Sequence, residues 1–414
     1  MRKINPFRPG SPVVPGMFVG RINEIERIED SLFQTKADRS SHFMITGERG
    51  IGKTSLLLYL NYIASKEIAV EGNWLNFLVV NLDISTNTTQ LVLMERIKLA
   101  LDKKLAKEER VRASLKTLWQ VFKRIEIADS RIRDESSGTD HEVLLDRFAY
   151  ALADVAKRTC GKHDSASILD ATYDGILILL DEADNSPKEL QLGSFLKLLL
   201  ERIQRQGCNR VMVGLAGLPE LRDVLRKSHE SSLRLFDDIT VGRLNENEVL
   251  EVIQRCLEKA KEVNGYETTM EDGAKNILFA LSEGYPHFIQ QFGYSAFDYD
   301  EDGNIDVNDV RKGAFSPGGA LEQIGNHYYR SNFYNKIQKD SYRQVLRIMA
   351  DKLDGWVTLA EIKKRFKGGS TTLTNAIRAL RERHIIISKE GVRGVYRLQH
   401  KGFAVWIKQY TEKP

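Results

Sequence analysis

Residues 43–46 are apolar and strand-like, a glycine-rich turn follows, and residues 54–64 carry Leu56, Leu57, Leu60 and Ile63 at helical spacing. This is strand, loop, helix. Residues 75–84 form a second apolar run, too continuous for the edge of a sheet, and 175–180 form a third. Residues 210–215 and 238–241 complete a count of five strands. Strands alternating with helices predict an α/β unit whose parallel sheet is covered on both faces. About ninety residues separate the second and third strands, charged over 98–135 with scattered Leu115, Trp119 and Phe122, and they read as an inserted helical arm around 97–140.

Beyond the fifth strand the pattern turns all-helical. Asn245 followed by Glu248 is a capping-box start before Val249, Leu250, Ile253 and Leu257. A further change comes near 336: a helix over 341–352, a second capping box at Thr358 and Glu361 with Ile362 and Phe366 inward, a helix over 370–383, and strands at 385–388 and 395–398 around a turn at 391–394. Three helices and a two-stranded wing make a winged helix. The expected division is 1–243 for the α/β core, 244–335 for a helical lid and 336–414 for the winged helix.

The 414 residues are 42% hydrophobic and 29% charged, which excludes disordered and fibrous classes. No apolar stretch approaches the ~20 residues of a membrane span, and residues 1–16 are polar and proline-bearing, so a cytoplasmic chain with no membrane partner is expected. Cys160, Cys208 and Cys256 follow no metal-ligand spacing. The net charge of +4 hides an asymmetry: residues 338–414 hold 17 Lys and Arg against 7 Asp and Glu, leaving the remainder net negative. A basic terminal segment on an acidic body suits an anionic partner, nucleic acid first, although a solvated basic face has the same composition.

Gly47-Glu48-Arg49-Gly50-Ile51-Gly52-Lys53-Thr54 fits the phosphate-binding pattern G-x-x-x-x-G-K-[ST] at every fixed position, with Ser55 next in line. Its glycines let backbone N–H groups turn onto phosphates, Lys53 reaches the β and γ phosphates of ATP, and Thr54 offers a hydroxyl to Mg2+. The apolar run 176–180 then delivers Asp181 and Glu182, the first placed for the magnesium and the second for the attacking water.

With Phe18-Val19-Gly20-Arg21 ahead of the first strand and Gly284-Tyr285-Pro286 in the helical region, these motifs resemble the AAA+ ATPases nearest to signal-transduction (STAND) and archaeal initiator-type ATPases. The resemblance implies a P-loop core, a helical lid and a C-terminal winged helix. It also implies that Phe18, Val19 and Arg21 lie near the adenine and that Pro286 closes over the nucleotide, although 284–286 also reads as an inter-helix turn. Arg234 stands where such ATPases carry a finger for a neighbouring subunit, which would make a homo-oligomer, and Arg226 is the reserve. The fourth strand departs from the family, ending Val213-Gly-Leu-Ala-Gly217 without the usual Asn, Ser or Thr, which points to slow, switch-like turnover.

Two further patterns carry chemistry. Asp298, Asp300, Asp302 and Asp306, with Gly303 and Ile305, follow a calcium-loop spacing, but the twelfth position is Asp309 rather than glutamate, and the same letters spell a helix end, a turn and a capped helix. In the helix from Ser370, Leu373, Ile377 and Leu380 make the inner stripe. Thr371, Thr374, Asn375, Arg378 and Arg381 share the other side, and Lys389 and Arg393 on the wing reach toward the same partner, double-stranded DNA. Two functions follow: a DNA-associated ATPase whose nucleotide state sets assembly, or a signalling switch whose winged helix binds protein.

Overall fold

A computed structural model of the chain describes residues 3–105, 138–160, 173–335, 337–353, 355–389 and 391–411. They divide into two compact units, Pro12–Gly242 and a second made of Met1–Ser11 with Arg243–Pro414.

The first unit is built on five parallel strands, β1 His42–Thr46, β2 Phe77–Asp83, β3 Gly175–Asp181, β4 Val211–Gly217 and β5 Phe236–Thr240, in the order β2-β3-β4-β1-β5. Every residue of β1, β3 and β4 is buried, as strands covered on both faces require. On one face Leu78, Val80, Ile178, Leu180 and Val213 meet apolar side chains of the helices Gln90–Leu105, Gly138–Thr159 and Leu192–Arg205. The alternate residues Phe43, Ile45, Val79 and Leu177 are also buried, and the helices Ile22–Lys36 and Lys53–Ala64 contribute the buried Ile28, Leu32, Leu56 and Leu60.

One expectation needs correcting. The run 75–84 does supply β2, yet β2 is the outermost strand of this sheet. Its apolar character reports covered faces rather than flanking strands: Phe77–Val80 is buried, packed beside Gln90–Leu105, and exposure returns over the last three residues. Most of the expected arm, with Leu115, Trp119 and Phe122, lies outside the described residues.

In the second unit the helix Glu246–Asn264 opens with the expected capping box, Asn245 Oδ1 accepting from Glu248 N–H at 3.0 Å and Glu248 Oε2 from Asn245 N–H at 2.7 Å. Such caps stabilise a helix by about 1 kcal/mol. Helices Asp272–Ser282, Pro286–Tyr299, Val307–Phe315 and Ala320–Ile324 follow, then two π-helical stretches, Gly325–Tyr329 and Ser331–Asn335. The strands β6 Thr269–Met270 and β7 Asn304–Ile305 form a short parallel pair. The chain continues as helix Asp340–Ala350, β8 Val357–Thr358, helices Leu359–Arg365 and Ser370–Glu382, β9 Ile386–Ser388 and β10 Val395–Leu398. These strands make an antiparallel sheet in the order β8-β10-β9, one strand more than the sequence pattern shows.

Two parts of this unit escape the sequence pattern. The closing helix Lys401–Tyr410 buries Phe403 and Trp406 against Tyr329 and Phe333. The extended start of the chain belongs here too: Lys3 Nζ donates to the carbonyls of Phe297 and Asp300 and to Asp300 Oδ2 at 2.7–2.8 Å, and the buried Phe7 ring lies against Gly293.

Candidate nucleotide site

The phosphate loop leaves β1 at Gly47, whose N–H donates to Gly217 O of the neighbouring β4 at 3.3 Å. A Cβ on Gly47 would stand 2.9 Å from Ile51 Cγ2 and from Val241 O, so only glycine allows the loop to fold back this tightly. Gly50 and Gly52 take φ of 78° and 99°, turning successive amides to the inside of the loop before the helix Lys53–Ala64 begins. Glu48 and Gly50 are half-buried, Arg49 is exposed and Ile51 is buried. Ser55 Oγ accepts from Val13 N–H at 3.3 Å and so anchors the segment ahead of the loop.

Lys53 Nζ spans this loop, donating to Gly47 O at 2.9 Å and Glu48 O at 3.0 Å. Burial pushes its pKa down, opposed by the carboxylates of Asp184 and then Asp181. An ammonium that holds only loop carbonyls, in a partly desolvated place, is matched to an anionic ligand. Thr54 Oγ1 donates to Asp181 Oδ2 at 2.7 Å, so the loop hydroxyl and the carboxylate at the end of β3 meet as a magnesium pair would. Asp181 is 9% exposed, and its other oxygen accepts the Glu182 N–H at 2.8 Å. Glu182 has φ 51°, an uncommon value that swings its exposed side chain away from the strand line, and Asn185 Nδ2 donates to its Oε2 at 3.1 Å. Amides and a cation for phosphates, with a hydroxyl and a carboxylate for a hard metal, form a donor set that fits a magnesium nucleotide.

The segment ahead of β1 also reaches the loop. Arg21 is buried, with φ 67°, and its Nη2 donates to Ile51 O at 3.1 Å, while Glu24 lies 3.8 Å from its other nitrogen. Phe18 stacks on Tyr59 of the loop helix at 5.0 Å, and Val19 is buried. Spacing alone gave no sign that Arg21 would grip the loop backbone.

Asp184 was also missed. It follows Glu182 by two residues, and its Oδ1 accepts the Leu218 N–H at 2.9 Å at the far end of β4.

Residues 17–213 match the family model of the AAA ATPase domain. That stretch holds the phosphate loop, Asp181, Glu182, Asp184 and Phe18 to Arg21, whereas Arg234, Pro286 and the basic tail lie beyond it. Among solved structures, the Aeropyrum pernix ORC2 protein (ADPNP-ADP complexes) aligns at a TM-score of 0.54 and 14% identity, covering 92% of this chain and 90% of that one. Cdc6p from Pyrobaculum aerophilum aligns at 0.44 and 12% identity over 97% and 94%, and the Aeropyrum pernix ORC1 protein in complex with DNA at 0.41 and 16% over 95% and 92%. No curated protein matches the chain. The AAA ATPase domain over residues 17–213 and the fold shared with the ORC2 protein bear out the resemblance to AAA+ ATPases.

Arg234 is exposed, in the short helix Glu230–Leu235, and Arg226 pairs with Asp223 at 3.3 Å. Pro286 is the first residue of its helix in the second unit, after the buried Tyr285. In the helix Ser370–Glu382, Leu373, Ile377 and Leu380 are buried. Thr371, Thr374, Arg378 and Arg381 are exposed and Asn375 half-buried. Arg378 Nη2 donates to Asn375 Oδ1 at 3.0 Å, and Thr374 Oγ1 turns back to Ser370 O. Lys389 and Arg393 are exposed, the former 6.0 Å from the Trp356 ring.

The calcium spacing resolves into caps and turns. Asp306 and Asp309 form a capping box, Asp300 Oδ1 accepts the Gly303 N–H while its other oxygen pairs with Lys3, and Asp302 accepts from Asn304 N–H. Among the described residues no group of three or more His, Cys, Asp or Glu is gathered to hold a metal, and no helix is long and apolar enough to cross a membrane.

Proposed function

We propose that the chain binds ATP with Mg2+ at residues 47–55, hydrolyses it slowly, and uses the nucleotide cycle to control a DNA-bound assembly. The observation that carries the reading is the contact of Thr54 Oγ1 with Asp181 Oδ2 beneath a loop whose lysine holds only backbone carbonyls. In this reading the loop amides and Lys53 hold the phosphates, Thr54 and Asp181 hold the metal, and Glu182 orients the attacking water. Phe18, Val19 and Arg21 form the base end of the pocket, with Arg21 acting through Ile51. The ORC2 protein whose fold this chain shares was solved with ADPNP and ADP, which agrees with a nucleotide-dependent role.

The C-terminal segment is read as a winged helix, on the order helix, strand, helix, helix, strand, strand. Its exposed face of Thr371, Thr374, Arg378 and Arg381 is assigned to DNA, with Lys389 and Arg393 on the flanking phosphates. The full chain should then bind duplex DNA in a fluorescence-anisotropy titration. With about 4 to 6 phosphate contacts, log affinity should fall against log salt with a slope of about −4 to −5. Lys389→Ala should reduce that slope by about one, whereas Arg378→Ala should cost about 1–3 kcal/mol at a preferred sequence. If the full chain binds no DNA at low salt, with or without ATP, the signalling-switch reading replaces this one. The missing polar residue at the end of β4 favours a switch in either case.

Arg234 is assigned to a neighbouring subunit's γ-phosphate. Arg234→Ala should lower turnover several-fold and leave the ATP affinity of the single subunit unchanged. Turnover per subunit that is constant on dilution, in a protein monomeric by light scattering, would remove that role.

A further inference from the structure

β4 ends in Gly217 with no polar side chain to face a γ-phosphate, but the structure supplies a carboxylate there from elsewhere in the chain. Asp184 lies in the short turn Ala183–Asn185 after β3, and its Oδ1 is fixed by the Leu218 N–H at 2.9 Å. It fits only because residue 217 is glycine: a Cβ there would stand 2.7 Å from Asp184 Oδ1. Gly217 O in turn accepts the N–H of Gly47, so Asp184 sits one residue away from the start of the phosphate loop. Among the described residues Asp184 Oδ2 has no hydrogen-bond donor, and Asp184 is the strongest of the charges acting on Lys53. Its place is at the C-terminal ends of β1, β3 and β4, where parallel sheets bind their ligands.

We infer that Asp184 occupies the γ-phosphate-reading position at the end of β4 and, being an anion, opposes the third phosphate, so that the site discriminates against ATP relative to ADP. This rests on the ATPase reading and deepens it. A neutral Asn, Ser or Thr in that position donates to the γ-phosphate, whereas a carboxylate repels it until the metal or Lys53 compensates. The consequence is an ATP-to-ADP preference set in part by the charge of Asp184.

The test uses the full chain carrying Glu182→Gln to stop turnover, with fluorescent mant-ATP and mant-ADP titrated in Mg2+. Asp184→Asn keeps an acceptor for Leu218 and removes the charge. It should raise the ATP-to-ADP affinity ratio roughly tenfold, the scale of one unit charge a few ångströms away at an intermediate effective dielectric, with ADP affinity unchanged. Asp184→Ala also breaks the Leu218 hydrogen bond and should lower the unfolding midpoint, which Asp184→Asn should not. An unmoved ratio in a well-folded Asp184→Asn protein would overturn the inference and leave Asp184 as a tie between two loops. Failure of the Glu182→Gln parent to bind either nucleotide would instead overturn the ATPase reading itself.

Discussion

Lys53→Ala should reduce ATP binding by at least a hundredfold, while Glu182→Gln should keep binding and lose nearly all hydrolysis. Lys53 is the side-chain cation that spans the loop from Gly47 O to Glu48 O, and its removal leaves the phosphates with backbone amides alone. A charge-assisted contact in a partly desolvated site contributes about 3 kcal/mol or more, hence the hundredfold scale. Glu182 touches neither the loop nor the Thr54–Asp181 pair through its carboxylate, which Asn185 holds instead, so neutralising it leaves the binding groups in place. Isothermal calorimetry for affinity and phosphate release for turnover check the two variants. Undiminished turnover in pure Glu182→Gln would assign the water to another group.

Gly284→Ala should destabilise the second unit by about 2–4 kcal/mol. Gly284 has φ 74°, and a Cβ on it would stand 2.2 Å from the carbonyl oxygen of Leu244, whose N–H donates to Gly284 O at 2.9 Å. Two costs add: left-handed backbone at about 1 kcal/mol, and displacement of a backbone segment at about 1–3 kcal/mol. Gly265, the C-terminal cap of the helix Glu246–Asn264, separates them. It has a similar φ of 78° with nothing within 4 Å of its Cβ, so Gly265→Ala should show the first cost alone. Urea unfolding followed by tryptophan fluorescence reads both, and equal losses at 284 and 265 would show that the Leu244 contact yields freely.

What could be read from the sequence was whatever is local. The phosphate loop and the Asp181–Glu182 pair are short words whose spacing is set by the turn that uses them, and both capping boxes stand where their three-residue intervals put them. Strand neighbours were not legible. The apolar run of β2 records that both its faces are covered, which a strand at the margin of the sheet shares with one at the centre. Arg21 reaches Ile51 because Gly20 and Arg21 both take left-handed backbone, and no periodicity announces that. Asp184 reaches Leu218 only once β3 and β4 lie side by side. The closing helix does leave a signal in the sequence, Phe403, Trp406 and Ile407 at spacings of three and four.

The first eleven residues carry a consequence for anyone dissecting the chain. Because Lys3, Ile4, Asn5, Phe7 and Arg8 pack with residues more than 250 positions later, the second unit is discontinuous in sequence, and a fragment cut at Arg243 lacks part of its own interior. In such a fragment the Asp300 carboxylate, buried beside Lys3, loses its cation, at a cost on the order of 3–5 kcal/mol, and the recess at Gly293 stands empty of Phe7. An affinity tag or an alternative start codon at the N-terminus therefore edits the half of the protein farthest from it along the gene, and a DNA-binding measurement on a truncated tail would report on a damaged fold.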